Sequence, residues 1–503
     1  MFQWALSGRR RSGTDHVLLW AIGTTAVYLV WGAARSQAFS ELSPGSSGDV
    51  FLPKWLGAIL ALVAPAALNY GWGLALLPYA IPLADTPQVP HMRFFEELGQ
   101  LLIFACGMGF LGVMLLRRAA IRRTDLSVAI ALWFLAESVL SFGVSYFYFP
   151  KDAVLLNDGI IRIVLLALFW LMIWLVDQRV RSWEEWHGLM MASCRAAALS
   201  VFVGLFGVGV MLALVLTHGV EYQWSRDTAW GLAYFNRFKG TFADPSQAAI
   251  YYAAALPLLL FLLGGPQRGR GAVTRTAGAL AIGLSVGVVV LATGSRAGLV
   301  ALAVSVTCVL LGPYRRYSWS LPVVGLAIFG GLTWAGWPLD WYLDVGVGDR
   351  DWSLFFQDED RSYLWSVALE TLRTFPVFGI GPGIDGKYGA AYDSAHNTLL
   401  SLGVEQGVLG VLVFVAFVGS VVARLVRTAI RDREEPRHAA AALLISLVAI
   451  MVGGQFHTTL KYPVLWFTLA LSIALCRMSE RNTKLSQMRQ GRGKTLRSTV
   501  ETG

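Results

Sequence analysis

His396 stands where a long polar stretch of the sequence gives way to an apolar run, in the segment DSAHNTLLSLGVEQG at 393–407. A neutral imidazole can accept a proton near pH 7, because the unperturbed pKa of histidine is about 6.5. We therefore take His396 as a candidate general base, with Asn397 beside it as a supporting residue. The alternative is that His396 is a membrane-interface histidine, or that it only caps the following apolar helix together with Asn397. His457, in GQFHTTLKYP, is a second candidate base or a contact for an acceptor.

Four cations in three separate segments could hold an anionic group. They are Arg237 and Lys239 in FNRFKGTFADPSQ, Arg296 in ATGSRAGL and Arg361 in DEDRSYLWSVALE. Guanidinium binds phosphate through two parallel hydrogen bonds and stays charged at every relevant pH. A charge at the centre of a membrane helix costs about 2.5–3.5 kcal/mol, so we place Arg296, with its apolar flanks, at the tip of a hairpin. There it either snorkels to lipid phosphate or belongs to an anion clamp, and the other cations favour the clamp.

Two acids fall within apolar runs, where a charge needs a partner. Glu405, in VEQG, is predicted to orient His396 or an arginine. Glu137, in LWFLAESVL, is predicted to pair with Arg162 or Arg195.

The remaining polar motifs have structural explanations. The acidic run at 358–360 could bind a metal, but acids favour a helix N-terminus, and we expect a helix start there. The segment GIGPG lacks the Gly-Lys-Ser/Thr end of a phosphate-binding loop and is predicted to be a flexible turn. Asp244 or Ser246 could cap the apolar run that follows them. The four cysteines have no zinc-ligand spacing, and we predict neither a metal nor a cofactor.

The composition places these residues in a membrane protein. Of 503 residues, 55% are hydrophobic and only 15% are charged, whereas soluble proteins carry about 25% charge. Many windows of about 20 residues contain almost no charge, which is long enough for a helix to cross a bilayer. The fold class is therefore all-α and polytopic. The net charge of +9 reflects arginines in short cytoplasmic loops, and not a nucleic-acid partner.

Arg-rich loops fix the path of the chain, with the N- and C-termini in the cytoplasm. About 14 transmembrane helices are predicted, at about 16–34, 52–69, 71–84, 98–116, 126–147, 159–176, 188–217, 246–263, 277–293, 297–312, 319–337, 402–423, 439–456 and 463–477. The long outer segment at 338–398 carries an amphipathic helix from Arg361 to Phe375. The basic tail at 478–503 is expected to be disordered and cytoplasmic.

The chain divides into four regions by this path: N-terminal transmembrane helices at 1–217, a core at 218–423 that includes the outer segment, a C-terminal hairpin at 424–477, and the tail. All the candidate site residues except His457 fall within the core.

The motifs of the core occur in a characteristic order. RFKGTFADPSQAA, TGSRAGL, R-x-x-x-W, P-x-x-G-x-G, AHN and EQGVLG follow one another between about 230 and 420. In this order and topology they resemble the O-antigen ligase and O-antigen polymerase superfamily, whose members are GT-C-class glycosyltransferases of bacterial inner membranes. The first two hundred residues match only as generic spans.

The resemblance implies a reaction at the periplasmic face. Such enzymes transfer a glycan from undecaprenyl diphosphate to an acceptor hydroxyl with inversion, and use no nucleotide sugar or metal. The implied acceptor is lipid A–core or a growing glycan, and a protein acceptor is equally open. The arginines matching Arg237, Arg296 and Arg361 would hold the diphosphate, and the histidine matching His396 would activate the acceptor. Membrane lipids are the other expected partners.

Two other functions compete with a transferase. About 14 spans also fit a polysaccharide flippase or another transporter, but transporters place their polar site at the bilayer midplane, between broken helices. The informative polar residues here gather at one face. A non-catalytic scaffold of a secretion complex is the third possibility.

Overall fold

A computed structural model of the protein describes twelve ranges of the chain. The described residues are 70–82, 98–117, 124–148, 153–218, 233–234, 237–240, 242, 244–264, 272–311, 359–383, 395–431 and 434–501. Within these ranges the side chains of Arg237 and Arg361 are not described.

Helices make up nearly all of the described structure. They are α1 (Tyr70–Ala80), α2 (Leu98–Arg117), α3 (Leu126–Tyr148), α4 (Ala153–Arg179), α5 (Trp183–His218), α6 (Pro245–Gly264), α7 (Ala272–Ala292), α8 (Arg296–Leu311), α9 (Glu359–Thr374), α10 (Thr398–Arg431), α11 (Glu434–Gly453) and α12 (Pro463–Glu501). A two-residue antiparallel ladder joins β1 (Ala233–Tyr234) to β2 (Arg237–Phe238).

The predicted helical, multi-pass architecture is confirmed for the described part of the chain. Seven helices, α3 to α6 and α10 to α12, are long and apolar enough to cross a membrane, and α2, α7 and α8 are shorter apolar helices. Eleven of the predicted spans coincide with α1 to α8 and α10 to α12. The predicted spans at about 16–34, 52–69 and 319–337 lie outside the described residues.

The C-terminal tail departs from the prediction. It was expected to be disordered, but α12 continues through it to Glu501. The stretch contains leucine, methionine, glutamine, lysine and arginine, whose high helix propensities favour extension of the apolar helix, alongside glycine, serine and threonine, which do not.

Small residues let the central helices approach closely. α6 packs against α5, α7, α8 and α11. A Cβ atom placed on Gly298 of α8 would lie 2.1 Å from the Cβ of Ala249 in α6, so this contact requires glycine. Below it, Ala253, Ala301 and Ala449 of α6, α8 and α11 form one cluster. Such contacts are typical of helices that pack in a lipid environment, where backbones gain from close approach.

The bundle has two ends, which α10 connects. We call them the His396 end, at the start of α10, and the Arg424 end, at its last turns. The starts of α4, α6, α8 and α12, with the ends of α3, α7 and α11, lie at the His396 end. This assignment follows from the contacts of these helix termini, which are described below.

Candidate functional site at the start of α10

Two histidines stack at the His396 end. The imidazole rings of His396 and His457 have centroids 5.7 Å apart and planes inclined by 15°. His396 has φ = 47°, and it is the one non-glycine residue with a positive φ in the described part of the chain. The left-handed region is costly for a residue with a Cβ atom, and such strain is concentrated at functional sites. The candidate base His396 therefore occupies a backbone position of unusual geometry.

His457 has two polar neighbours, which lie just before α12 and α6. Its Nε2 atom hydrogen-bonds the hydroxyl of Tyr462, just before α12, and lies 3.6 Å from Oδ1 of Asp244. The same Asp244 oxygen accepts the backbone N–H groups of Ser246 at 2.6 Å and Gln247 at 3.2 Å. Asp244 therefore caps α6, as one of the two predicted alternatives has it, and also contacts the histidine pair.

The backbone around His396 is held by the residues that follow it. The carboxamide oxygen of Asn397 accepts the N–H of Leu400 at 3.0 Å, so Asn397 provides the predicted helix cap. The Thr398 N–H donates to the carbonyl of Gly454 at 2.7 Å, and its hydroxyl accepts the N–H of Thr459 at 3.0 Å. These bonds join the start of α10 to the loop that carries His457.

The predicted amphipathic helix α9 supports His396 from the other side. The indole N–H of Trp365 donates to the carbonyl of Ala395 at 2.9 Å. Arg361 lies one helical turn before Trp365 in α9, on the same face of the helix. Glu359 is the first residue of α9, in agreement with a helix start in the acidic run.

The remaining predicted cations are placed as follows. Arg296 is the first residue of α8, and it is half-buried at the hairpin between α7 and α8, as predicted. The neighbouring contact of Gly298 with Ala249 brings this hairpin beside the start of α6, and so to the His396 end. Lys239 follows β2 and its side chain is buried. For Arg237 the structure gives only the backbone, in β2.

Two of the sequence motifs meet in a backbone crossing. The Ile380 and Gly381 N–H groups donate to the carbonyls of Val404 and Glu405 in α10, each at 2.9 Å, and the Val408 N–H donates to the Pro376 carbonyl at 2.8 Å. The GIGPG segment is thus a turn, as predicted, and it is fastened to α10.

Glycine is required at the crossing. Gly407 has φ = 66° and interrupts the helical geometry of α10, and a Cβ atom there would lie 2.2 Å from the carbonyl oxygen of Val377. Gly379 also has φ = 66°, and its Cβ atom would lie 2.4 Å from the carbonyl oxygen of Val404.

Glu405 binds an arginine, which is one of the two predicted partners. Its Oε1 atom lies 3.1 Å from Nη2 of Arg162 in α4, and both side chains are buried. The prediction that Glu137 pairs with Arg162 or Arg195 is therefore wrong for Arg162, and neither carboxylate oxygen of Glu137 has a hydrogen-bond partner among the described residues. The depth of each residue in its predicted span could have indicated this pairing. Arg162 and Glu405 both lie near the outer start of a span, whereas Glu137 lies in the middle of one.

A groove at the opposite end of the bundle has a different character. It is lined by residues of α1, α5, the end of α4 with the α4–α5 loop, and the start of α11. Arg179 pairs with Glu185 there, and His187 lies 3.8 Å from Glu435. Because Glu184, Glu185 and Glu435 line this groove together with Arg179 and Arg195, it does not present cations alone to a ligand.

Residues 279–415 match the family model described as O-antigen ligase. The match confirms the predicted resemblance to the O-antigen ligase and O-antigen polymerase superfamily over this stretch. It contains Arg296, Arg361, His396 and Glu405 and ends before His457. No curated protein matches the chain.

Proposed function

We propose that this chain is a membrane glycosyltransferase of the O-antigen ligase type, which transfers a glycan from undecaprenyl diphosphate to an acceptor hydroxyl. His396 is the general base in this proposal. Arg296, Arg237 and Arg361, with Lys239, bind the diphosphate. The observation that carries the proposal is the strained backbone of His396, stacked on His457 at the end of the bundle where α8 begins with Arg296.

The reaction makes two demands on the protein. The bond between the anomeric carbon and the diphosphate breaks as the acceptor oxygen forms a new bond on the opposite face, which inverts the anomeric centre. The departing diphosphate gains negative charge, which preorganised cations stabilise. The acceptor hydroxyl loses its proton, which His396 takes.

The other predicted site residues keep the base in place. Asn397 caps α10 and so fixes the peptide that follows His396. Glu405, through its ion pair with Arg162, joins the first turns of α10 to α4. Both are positioning residues in this proposal, because they act on His396 through the backbone.

The distribution of charge supports a periplasmic site in a bacterial inner membrane. Arg-rich loops follow the helices at the Arg424 end, and positive loops remain in the cytoplasm. The His396 end then faces the periplasm, where a lipid-linked donor meets a water-exposed acceptor. The family match gives no support to the transporter alternative.

The test is transfer by the purified full-length protein in lipid nanodiscs. The donor is an undecaprenyl-diphosphate glycan, and lipid A–core and a growing glycan are offered as separate acceptors. We expect wild-type protein to form product with one of them and His396→Ala to be slower by about 10²–10⁴-fold. His438→Ala, in α11 near the Arg424 end, is the matched control and should retain full activity. Product formation by His396→Ala at the wild-type rate would refute the assignment of the base.

A further inference from the structure

A buried polar cluster lies between α3 and α10, behind the candidate site. Glu137 is 6% exposed and neither of its carboxylate oxygens has a hydrogen-bond partner among the described residues. The side-chain oxygen of Gln406 is also buried without a partner there. An unsatisfied buried oxygen costs about 1–3 kcal/mol, so two such groups side by side require an explanation.

The two groups are close to each other. A Cβ atom placed on Gly410 would lie 2.9 Å from Oε2 of Glu137 and 2.8 Å from Oε1 of Gln406. Both oxygens are acceptors if Glu137 is ionised, and they would then repel each other. A single proton on the Glu137 carboxyl turns it into a donor, and one hydrogen bond then gives a partner to one oxygen of Glu137 and to Oε1 of Gln406.

The surrounding charges favour the neutral acid. On the two helices that pack against α3, Arg162 of α4 is bound to Glu405 at 3.1 Å and Arg424 of α10 is bound to Asp125 at 2.6 Å. The groups of α3 that face α10 at this level are the hydroxyls of Ser138 and Ser141. An ionised carboxylate buried in a membrane without a cation is strongly disfavoured, so the residue takes up a proton instead.

We propose that Glu137 carries a proton, donates it in a hydrogen bond to Oε1 of Gln406, and thereby acts as a positioning residue for the first turns of α10. Its role in transfer rests on the function proposed above, whereas its protonation does not.

The cluster is connected to the segment that carries His396. The amide N–H of Gln406 donates to the Ser138 hydroxyl at 2.7 Å, and the Ser141 hydroxyl donates to the carbonyl of Glu405 at 2.9 Å. The proposed bond from Glu137 completes a set of contacts between α3 and the residues just before the Gly407 break. Around this break α10 is held by backbone hydrogen bonds from residues 376–381, and the side chains of α3 add a second set of contacts that orient its first turns.

Infrared difference spectroscopy tests the protonation without any reaction. The spectrum of wild-type full-length protein minus that of Glu137→Gln, at neutral pH, should contain the C=O stretching band of a protonated carboxylic acid, which shifts in D2O. The bands of an ionised carboxylate in its place would overturn the proposal. This experiment gives its answer even if the protein proves not to be a glycosyltransferase.

Transfer kinetics test the positioning role. Glu137→Gln keeps a donor in the same place and should remain within about twofold of wild type, whereas Glu137→Leu should lower kcat roughly tenfold with an unchanged KM for the donor. An equal loss in both variants would overturn the role of the neutral acid, because glutamine would then fail to replace it.

A second pair of variants guards against misfolding of Glu137→Leu. Gly410→Ala pushes a methyl group between the two oxygens and should lower kcat and shift the carboxylic acid band. Gly419→Ala is the matched control on the same helix, because its Cβ atom meets nothing within 4 Å. An unshifted band in Gly410→Ala would overturn the placement of the hydrogen bond.

Discussion

The two ends of the bundle use charge in different ways. At the Arg424 end, Arg424 binds both carboxylate oxygens of Asp125, at 2.6 Å and 3.0 Å, and reaches Glu480 at 2.8 Å. At the His396 end the central feature is the stacked pair of His396 and His457. The first arrangement joins α3, α10 and α12, and the second gathers groups that can bind a ligand or accept a proton.

The charged groups at the Arg424 end stabilise the fold, whereas those at the His396 end are proposed to take part in the reaction. An arginine bound to carboxylates on other helices has its charge balanced within the protein, and removing it leaves those carboxylates unpaired. Arg477 and Asp177, which join α12 to α4, follow the same pattern. Substitutions at the Arg424 end should therefore affect stability, and substitutions at the His396 end should affect transfer.

Among the substitutions that compare the two ends, the largest effects are expected at two arginines, one of which should affect kcat and the other stability. Arg296→Ala should lower kcat for transfer by about 10²–10³-fold, with little change in stability, because in the proposed reaction this cation stabilises the departing diphosphate. Arg424→Ala should lower the free energy of unfolding by about 3 kcal/mol and leave kcat near wild type. Thermal unfolding and initial rates on the same preparations measure both. Loss of stability in Arg296→Ala with normal kcat would contradict the comparison.

Next in size is the effect of a methyl group at the break in α10. Gly407→Ala places a Cβ atom 2.2 Å from the Val377 carbonyl oxygen at positive φ, and we expect a loss of about 3 kcal/mol in stability together with most of the activity. Gly419→Ala, which lies further along the same helix, should change neither stability nor activity. If Gly407→Ala is as stable and active as its control, the backbone crossing does not position the site.

A smaller effect is expected at the second histidine. His457→Ala should lower transfer by roughly tenfold, less than His396→Ala, because it removes a neighbour of the base and not the base itself. Initial rates of the two variants side by side decide the order. A larger loss of activity in His457→Ala than in His396→Ala would indicate that His457 is the base and His396 its neighbour.

The smallest effect is expected at Arg373, and it tests whether any arginine on α9 contributes to donor binding. Arg373 of α9 is exposed, and its pair with Glu370 at 3.4 Å is a surface contact. Arg373→Ala should change stability by less than about 0.5 kcal/mol and leave transfer within twofold. Arg361→Ala, on the same helix, should weaken donor binding. Equal donor KM values for the two variants would remove Arg361 from the clamp.

Local sequence was a sufficient guide to the helices and to some single site residues. Apolar windows predict the spans from α1 to α8. The position of His396, where a polar stretch meets an apolar run, is sufficient to identify it as a candidate without its backbone geometry. Both inferences depend on features within about 20 residues, which one sequence contains.

The contacts that build the site were beyond sequence reasoning. Asp244 meets His457 from a loop that is distant along the chain, and the partner of Glu405 is in α4. Periodicity and charge pattern fix which residues lie at each membrane face, but not which helices are neighbours. The side chains of Arg237 and Arg361 lie outside the described residues, and their part in the clamp stays a prediction.

The position of the bound donor tests the central claim most directly. We propose an electron cryomicroscopy structure of the full-length protein in nanodiscs with a non-transferable undecaprenyl-diphosphate glycan analogue. The diphosphate should contact the guanidinium of Arg296, with the anomeric carbon on the side of His396. Density for the diphosphate at the Arg424 end, or away from both residues, would contradict the account.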